Sequence, residues 1–254
     1  MRYFISFIFM AVATSYPAFA LACNSIMDMT CDWEKALVIT NDIEAEVNLG
    51  KKQEIDYSKE NCPKGKCVCE ELAGSIEFYK NGKALDLINA QEKKRAENYK
   101  CDATKVFGRH RPQFVYTSNS VISIGTYNLN YIRDVTSGCH GEHPFITYDT
   151  QTGEQYLLKD ILLSDKIKLL NDTLVNGFYA IYGKQDADKE KDIKNNVKEY
   201  LEKNPVGNSG FIVGNGRIYL NIGTFAFGCS AGSFYPVEVP EQFINQEFLD
   251  KIKL

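Results

Sequence analysis

The sequence predicts an α+β domain: an antiparallel sheet built from hairpins, two consecutive helices packed on it, and a disulfide-stapled N-terminal region. Three observations predict it. Runs of β-branched and aromatic residues are separated by turn chemistry such as Asn81-Gly82, Gly153-Glu154 and Gly214-Asn215-Gly216. Apolar residues at helical spacing are confined to about 165–203. Six of the eight cysteines fall between Cys23 and Cys101. Strands and helices are therefore grouped rather than alternating, which argues against a parallel doubly wound sheet.

The first twenty residues are expected to be removed. Arg2 precedes an apolar run from Tyr3 to Ala13, and Ala18-Phe19-Ala20 supplies a small-x-small ending, the three parts of a secretory signal. The run is shorter than the roughly 20 apolar residues a spanning helix needs. Cleavage near Ala20 predicts a periplasmic or secreted chain with no transmembrane segment. Lipid attachment at Cys23 is the alternative, since Ala20-Leu21-Ala22-Cys23 loosely resembles a lipobox. Losing Arg2 from 29 basic residues against 33 acidic ones moves the net charge from −4 to −5. No basic surplus exists to neutralise phosphates, so nucleic-acid binding is excluded as a general function.

Export implies an oxidising compartment, so the cysteines read as disulfides before metal ligands. They are Cys23, Cys31, Cys62, Cys67, Cys69, Cys101, Cys139 and Cys229. The cluster Cys62–Cys69 lacks the paired Cys-x-x-Cys spacing of a zinc knuckle. Cys139 and Cys229 are the only two after Cys101 and are expected to pair, leaving six to pair among themselves in an open order.

Residues 21–105 form a first region and 106–254 a second. In the first, Trp33 to Val38 begins an apolar stretch too short to assign as helix or strand by period. Ile76 and Phe78 before Asn81-Gly82, with Leu85 and Leu87 after it, predict a hairpin. Gln91 to Tyr99 is charged and helix-prone, with Glu92 and Arg95 three apart, and is expected to be a solvated face. In the second, Phe114 to Ile132 predicts two paired strands around Ser118-Asn119, and Phe145–Tyr148 pairs with Gln155–Leu158. Ser164 can cap a helix bearing Leu169, Leu170, Leu174, Phe178 and Ile181 on one face. A second helix over about 187–203 groups Ile193, Val197, Tyr200 and Leu201 and stops before Pro205. Phe211–Val213 and Arg217–Leu220 make the last hairpin.

Two glycine-rich segments look less like scaffold: Thr136 to Pro144 and Thr224 to Pro236, each carrying one late cysteine. His140, Glu142 and His143 could form a metal site or an acid/base pair. The two histidines are three apart on a predicted loop, with no third ligand assigned, so no metal and no cofactor are expected. Ser230 in Gly228-Cys229-Ser230-Ala231-Gly232 matches the spacing of a nucleophile elbow. The elbow needs a helix directly after it, and Pro236 and Pro240 deny one. No catalytic residue is assigned. The expected binding surface comprises Gly138, His140, Gly141, Glu142, His143, Phe227, Ser230 and Tyr235, on loops held by a scaffold.

Ser137-Gly138-Cys139-His140-Gly141, then Tyr148 to Glu154, Leu157 to Ile161 and Phe234 to Pro240, resemble in order the motifs of the RsiV-like family of extracytoplasmic domains of unknown function. The resemblance covers about 110–245. Cys139 stands where that family has a small residue, and the segment Phe227–Ser230 departs from its closing loop. The resemblance implies an envelope binding module whose partner is a lysozyme-like cell-wall enzyme or a cell-wall glycan. An enzyme is the less expected reading. Two other readings stay open: a periplasmic inhibitor or immunity protein against a toxin, and an envelope hydrolase using His140, Glu142 and His143.

Overall fold

The computed structural model describes residues 37–41, 43–58, 67–132, 139–142, 144–180, 190–203, 205–222 and 236–253. Six short strands come first: β1 (Leu37–Ile39), β2 (Glu44–Asn48), β3 (Lys52–Asp56), β4 (Val68–Ala73), β5 (Ser75–Lys80) and β6 (Lys83–Ala84). Asn81 and Gly82 take φ of 52° and 72°, the left-handed geometry that makes Asn-Gly the expected turn between β5 and β6. Helix α1 (Asp86–Glu97) follows, then two long strands, β7 (Lys105–Thr117) and β8 (Val121–Ile132). Next come β9 (Cys139–Glu142), β10 (Phe145–Asp149), β11 (Gln155–Tyr156) and three helices, α2 (Leu158–Ile161), α3 (Ile167–Phe178) and α4 (Glu190–Lys203). The chain closes with β12 (Ile212–Gly214), β13 (Arg217–Asn221), β14 (Pro236–Val239) and α5 (Gln246–Ile252).

One eight-stranded sheet organises the molecule, in the order β11-β10-β8-β7-β4-β3, with β1 also on β7 and β9 also on β8. Most pairings are antiparallel, but β1 and β4 run parallel to β7. They take successive stretches of that strand: β4 pairs with Phe107–His110 and β1 with Phe114–Tyr116. Pro112 sits in the gap between the two, at a register shift in the β7–β8 ladder. A strand interior tolerates a residue without an N–H only at such a break. Strands from before and after residue 105 thus share this sheet.

Alternation along β8 sends its residues to two different cores. Ile122 and Ile124, with Val115, Ile146 and Tyr148, pack against Ile43, Ile76, Phe78 and Ile88 from the β2-β5-β6 sheet and α1. Val121, with Phe114 and Phe145, packs against Leu170, Leu174, Phe211, Phe243 and Phe248, under the helices and the β12-β13-β14 sheet. Burial of each large apolar side chain contributes about 1.5–3 kcal/mol. Hydrogen bonds tie the second layer on. Thr147 Oγ1 donates to the Phe211 carbonyl and the Val213 N–H donates to Ser123 Oγ, all fully buried.

The hairpins at 114–132, 148–156 and 212–220 form as the sequence predicts. The first helix differs in detail. Ser164 opens a short 3-10 turn without a side-chain cap, and α3 starts at Ile167. Leu170, Leu174 and Phe178, four apart, are buried, whereas Leu169 falls off that stripe and is 58% exposed. In α4, Val197 and Leu201 are buried. Ile181 lies outside the described residues. No helix among the described residues is long and apolar enough to cross a membrane.

Candidate functional site

The face of β8 that carries Ile122 and Ile124 turns polar farther along, at Thr126 and Asn128, both buried, and at Asn130. Across the ladder from Asn128 stands His110 of β7. Helix α1 lies over the same face, and it brings charge to it. Glu92 is 3% exposed, with Arg95 Nη1 at 3.2 Å from its carboxylate. Tyr148 Oη donates to Glu92 Oε1 at 2.7 Å and accepts from Arg95 Nη2 at 2.9 Å. The three side chains close a triangle linking α1 to β10. The expectation of a solvated helix face is therefore wrong for Glu92 and Arg95. Three-residue spacing is equally compatible with a buried pair, and Tyr148 beneath the helix supplies the polar partner that permits burial.

His110 is 2% exposed. Its Nδ1 lies 2.7 Å from Asn128 Oδ1, and its ring stacks on Tyr99 with centroids 5.9 Å apart. With Oδ1 as the facing atom, Nδ1 carries the proton and Nε2 is the acceptor. This tautomer follows from the hydrogen-bond network. Burial, against the Asn128 bond and aided by the Arg95 charge, holds the imidazole below its ordinary value. Burial likewise pushes the Glu92 carboxyl up, in spite of Arg95 and Tyr148. Burial and the adjacent Glu92 charge raise the Tyr148 phenol.

His110 and Glu92 both line a cleft of about 390 Å³ between α1 and the corner joining β4 to β5. At that corner Gly74 is required by close approach: a Cβ there would meet Pro112 Cδ at 2.6 Å and the His110 carbonyl at 2.9 Å. Glu92 Oε2 is buried without a hydrogen-bond partner, as are Asn128 Nδ2 and Thr126 Oγ1. Orphaned buried polar atoms are rare, and their concentration between this sheet face and α1 calls for a functional account.

A consequence for stability follows from His110. The unfolded chain takes up a proton near pH 6.5, whereas the folded protein holds this imidazole neutral to lower pH. Below about pH 6.5 the unfolded state binds more protons, so stability falls with acidification. Denaturant titrations of the parent and His110→Gln between pH 5 and 8 are expected to show a difference that is constant above pH 7 and shifts in favour of the variant below 6.5. A pH-independent difference would contradict a buried neutral His110.

The expected binding residues are placed only in part. Cys139–Glu142 is a strand, not a loop, with His140 opposite Asn130 and Glu142 opposite Asn128. Its backbone runs antiparallel to β8, in register with it. Gly138, His143, Phe227, Ser230 and Tyr235 lie outside the described residues, as do Cys23, Cys31, Cys62 and Cys229. Cys69 and Cys101 are joined, a pairing within the early six, and Cys67 is also disulfide-bonded. Among the described residues no group of three His, Cys, Asp or Glu side chains could hold a metal. Sequence reasoning missed His110, Asn128 and Tyr148. The available signal was Thr126-x-Asn128-x-Asn130, a polar run at inward period two within a strand.

No family model and no curated protein matches the chain. Solved structures similar to it include two DUF3298 family proteins. One is a DUF3298 family protein from Pseudomonas aeruginosa PAO1, 10% identical, covering 81% of this chain and 96% of that one with a TM-score of 0.48. The other is a DUF3298 family member from Bacteroides fragilis NCTC 9343, 13% identical, covering 83% of this chain and 97% of that one with a TM-score of 0.49.

Proposed function

We propose that this protein is an exported binding module of the cell envelope that recognises a cell-wall glycan or a lysozyme-like enzyme acting on it. The observation that carries binding is that the cleft's ionisable groups are held in place while Glu92 Oε2 keeps no hydrogen-bond partner. Glu92 is locked by Arg95 and Tyr148, and His110 by Asn128 and Tyr99. Groups held in this way present fixed hydrogen-bonding atoms to a ligand. Export is supported by the Cys69–Cys101 disulfide, which an oxidising compartment would maintain, and by the signal-like N-terminus. The RsiV-like resemblance points the same way.

In this reading the glycine-rich segments are a second part of the surface. Gly138, His140, Gly141, Glu142 and His143 would meet Phe227, Ser230 and Tyr235, held together by a Cys139–Cys229 disulfide. Titration calorimetry of the exported protein against soluble peptidoglycan fragments and a panel of lysozymes is the test. At least one should bind, and His140→Ala and Tyr235→Ala should each weaken it about tenfold, roughly 1.4 kcal/mol. No binding to either class would overturn the proposal.

A further inference from the structure

We infer that the cleft between α1 and the β4–β5 corner is a subsite for a neutral, hydroxyl-rich ligand, a small saccharide, held by Glu92 and His110. This rests on the envelope-binding reading and names the ligand chemistry of its cleft. At about 390 Å³ the cleft lies within the ~300–1,000 Å³ of small-ligand sites. Its walls include Ala73, Gly74, Ile76, Ala90 and Ala96, small or apolar groups that leave room for the C–H faces of a sugar ring.

The polar atoms decide the class. Glu92 is 3% exposed and its Oε2 has no partner. Nδ1 of His110 is committed to Asn128, so Nε2 is the acceptor of the ring, and His110 lines the cleft. A hydroxyl can donate to both atoms. It can also accept from Glu92 when that carboxyl holds a proton, so it matches the site in either state. Charged ligands fit worse. The Glu92 carboxylate is already offset by Arg95, and His110 is neutral, so the floor offers no uncompensated charge to a desolvated ion. At the rim Lys93 and Lys100 are matched in number by Glu77 and Glu97, which likewise leaves no net attraction.

The test is an NMR titration of the isotopically labelled exported protein with cellobiose, maltose and di-N-acetylchitobiose at up to about 10 mM, a range that detects millimolar binding. Saturable shifts centred on the amides of Gly74, Ser75, Lys93 and Ala96 are expected for at least one of them. Ala96→Leu narrows the cleft from one helical turn beyond Glu92 and should weaken that saccharide at least tenfold. Glu92→Gln, which keeps an acceptor for the Tyr148 hydroxyl, should weaken it severalfold. Shifts that map elsewhere, or an undiminished affinity in a folded Ala96→Leu protein, overturn the subsite and leave the envelope-binding reading standing. So does the absence of any saccharide response in a protein that binds a cell-wall enzyme. The parent titration alone decides the matter if Ala96→Leu does not fold.

Discussion

Replacing Cys69 and Cys101 together with alanine is expected to lower the unfolding free energy by roughly 3–4 kcal/mol. The bridge spans 32 residues, and the chain-entropy model assigns a loop of that size about that much. For a domain whose total stability is of order 5–15 kcal/mol, that is a large fraction. The location adds to the effect. Cys69 is fully buried on β4, and Cys101 lies in the link between α1 and β7. That link is also held by Glu71, whose Oε2 accepts from the Cys101 N–H at 2.7 Å, and by the Tyr57 hydroxyl donating to the Cys101 carbonyl at 2.9 Å. Loss of the bridge loosens the C-terminal end of α1 and with it Arg95. Denaturant unfolding of parent and double variant should show a lower midpoint and a somewhat steeper slope, because the unbridged chain unfolds to a more expanded state. An unchanged midpoint would mean that the noncovalent contacts of the link already fix it.

Legibility in the sequence followed locality. The Asn81-Gly82 and Asn215-Gly216 hairpins were readable because turn chemistry fixes φ within two residues. The parallel attachment of β1 and β4 to β7 was not, since it joins segments up to 77 positions apart and leaves no local trace beyond Pro112. The same distinction governs the candidate site. Leu170, Leu174 and Phe178 announce a buried stripe through their own spacing. Glu92 is buried only because Tyr148, 56 positions away, meets it. A charged residue read in isolation is assigned to water, and the partner that overturns this comes from topology. His110 is one of three histidines, and the other two lie in the glycine-rich segment Thr136–Pro144. Inward polar alternation along β8 was the better pointer.

The Glu92–Arg95–Tyr148 triangle makes an asymmetric prediction. Arg95→Met at pH 7 should destabilise the protein by about 3–5 kcal/mol, because it leaves a carboxyl buried at 3% exposure without its countercharge and removes a donor from Tyr148. Glu92→Gln should cost less. The amide oxygen still accepts from the Tyr148 hydroxyl, and Arg95, 20% exposed, can reach water. The double variant Glu92→Gln/Arg95→Met should be more stable than Arg95→Met alone, since the second change removes the stranded charge. Acid sharpens the test. The Glu92 carboxyl is raised in the folded protein above its ordinary value of 4.5. Between that value and the folded one, the native state binds more protons than the unfolded state, so stability falls as pH rises through the window. Removing Arg95 raises the folded value further and widens it. The deficit of Arg95→Met relative to the parent should accordingly shrink as pH is lowered from 7 toward 4.5, while that of Glu92→Gln, which has no carboxyl to protonate, should not shrink. Denaturant midpoints of the four proteins at pH 7 and pH 4.5 decide this. If Arg95→Met costs no more than Glu92→Gln, or its deficit does not respond to acid, then Glu92 is not an ionised partner of Arg95 in the folded protein.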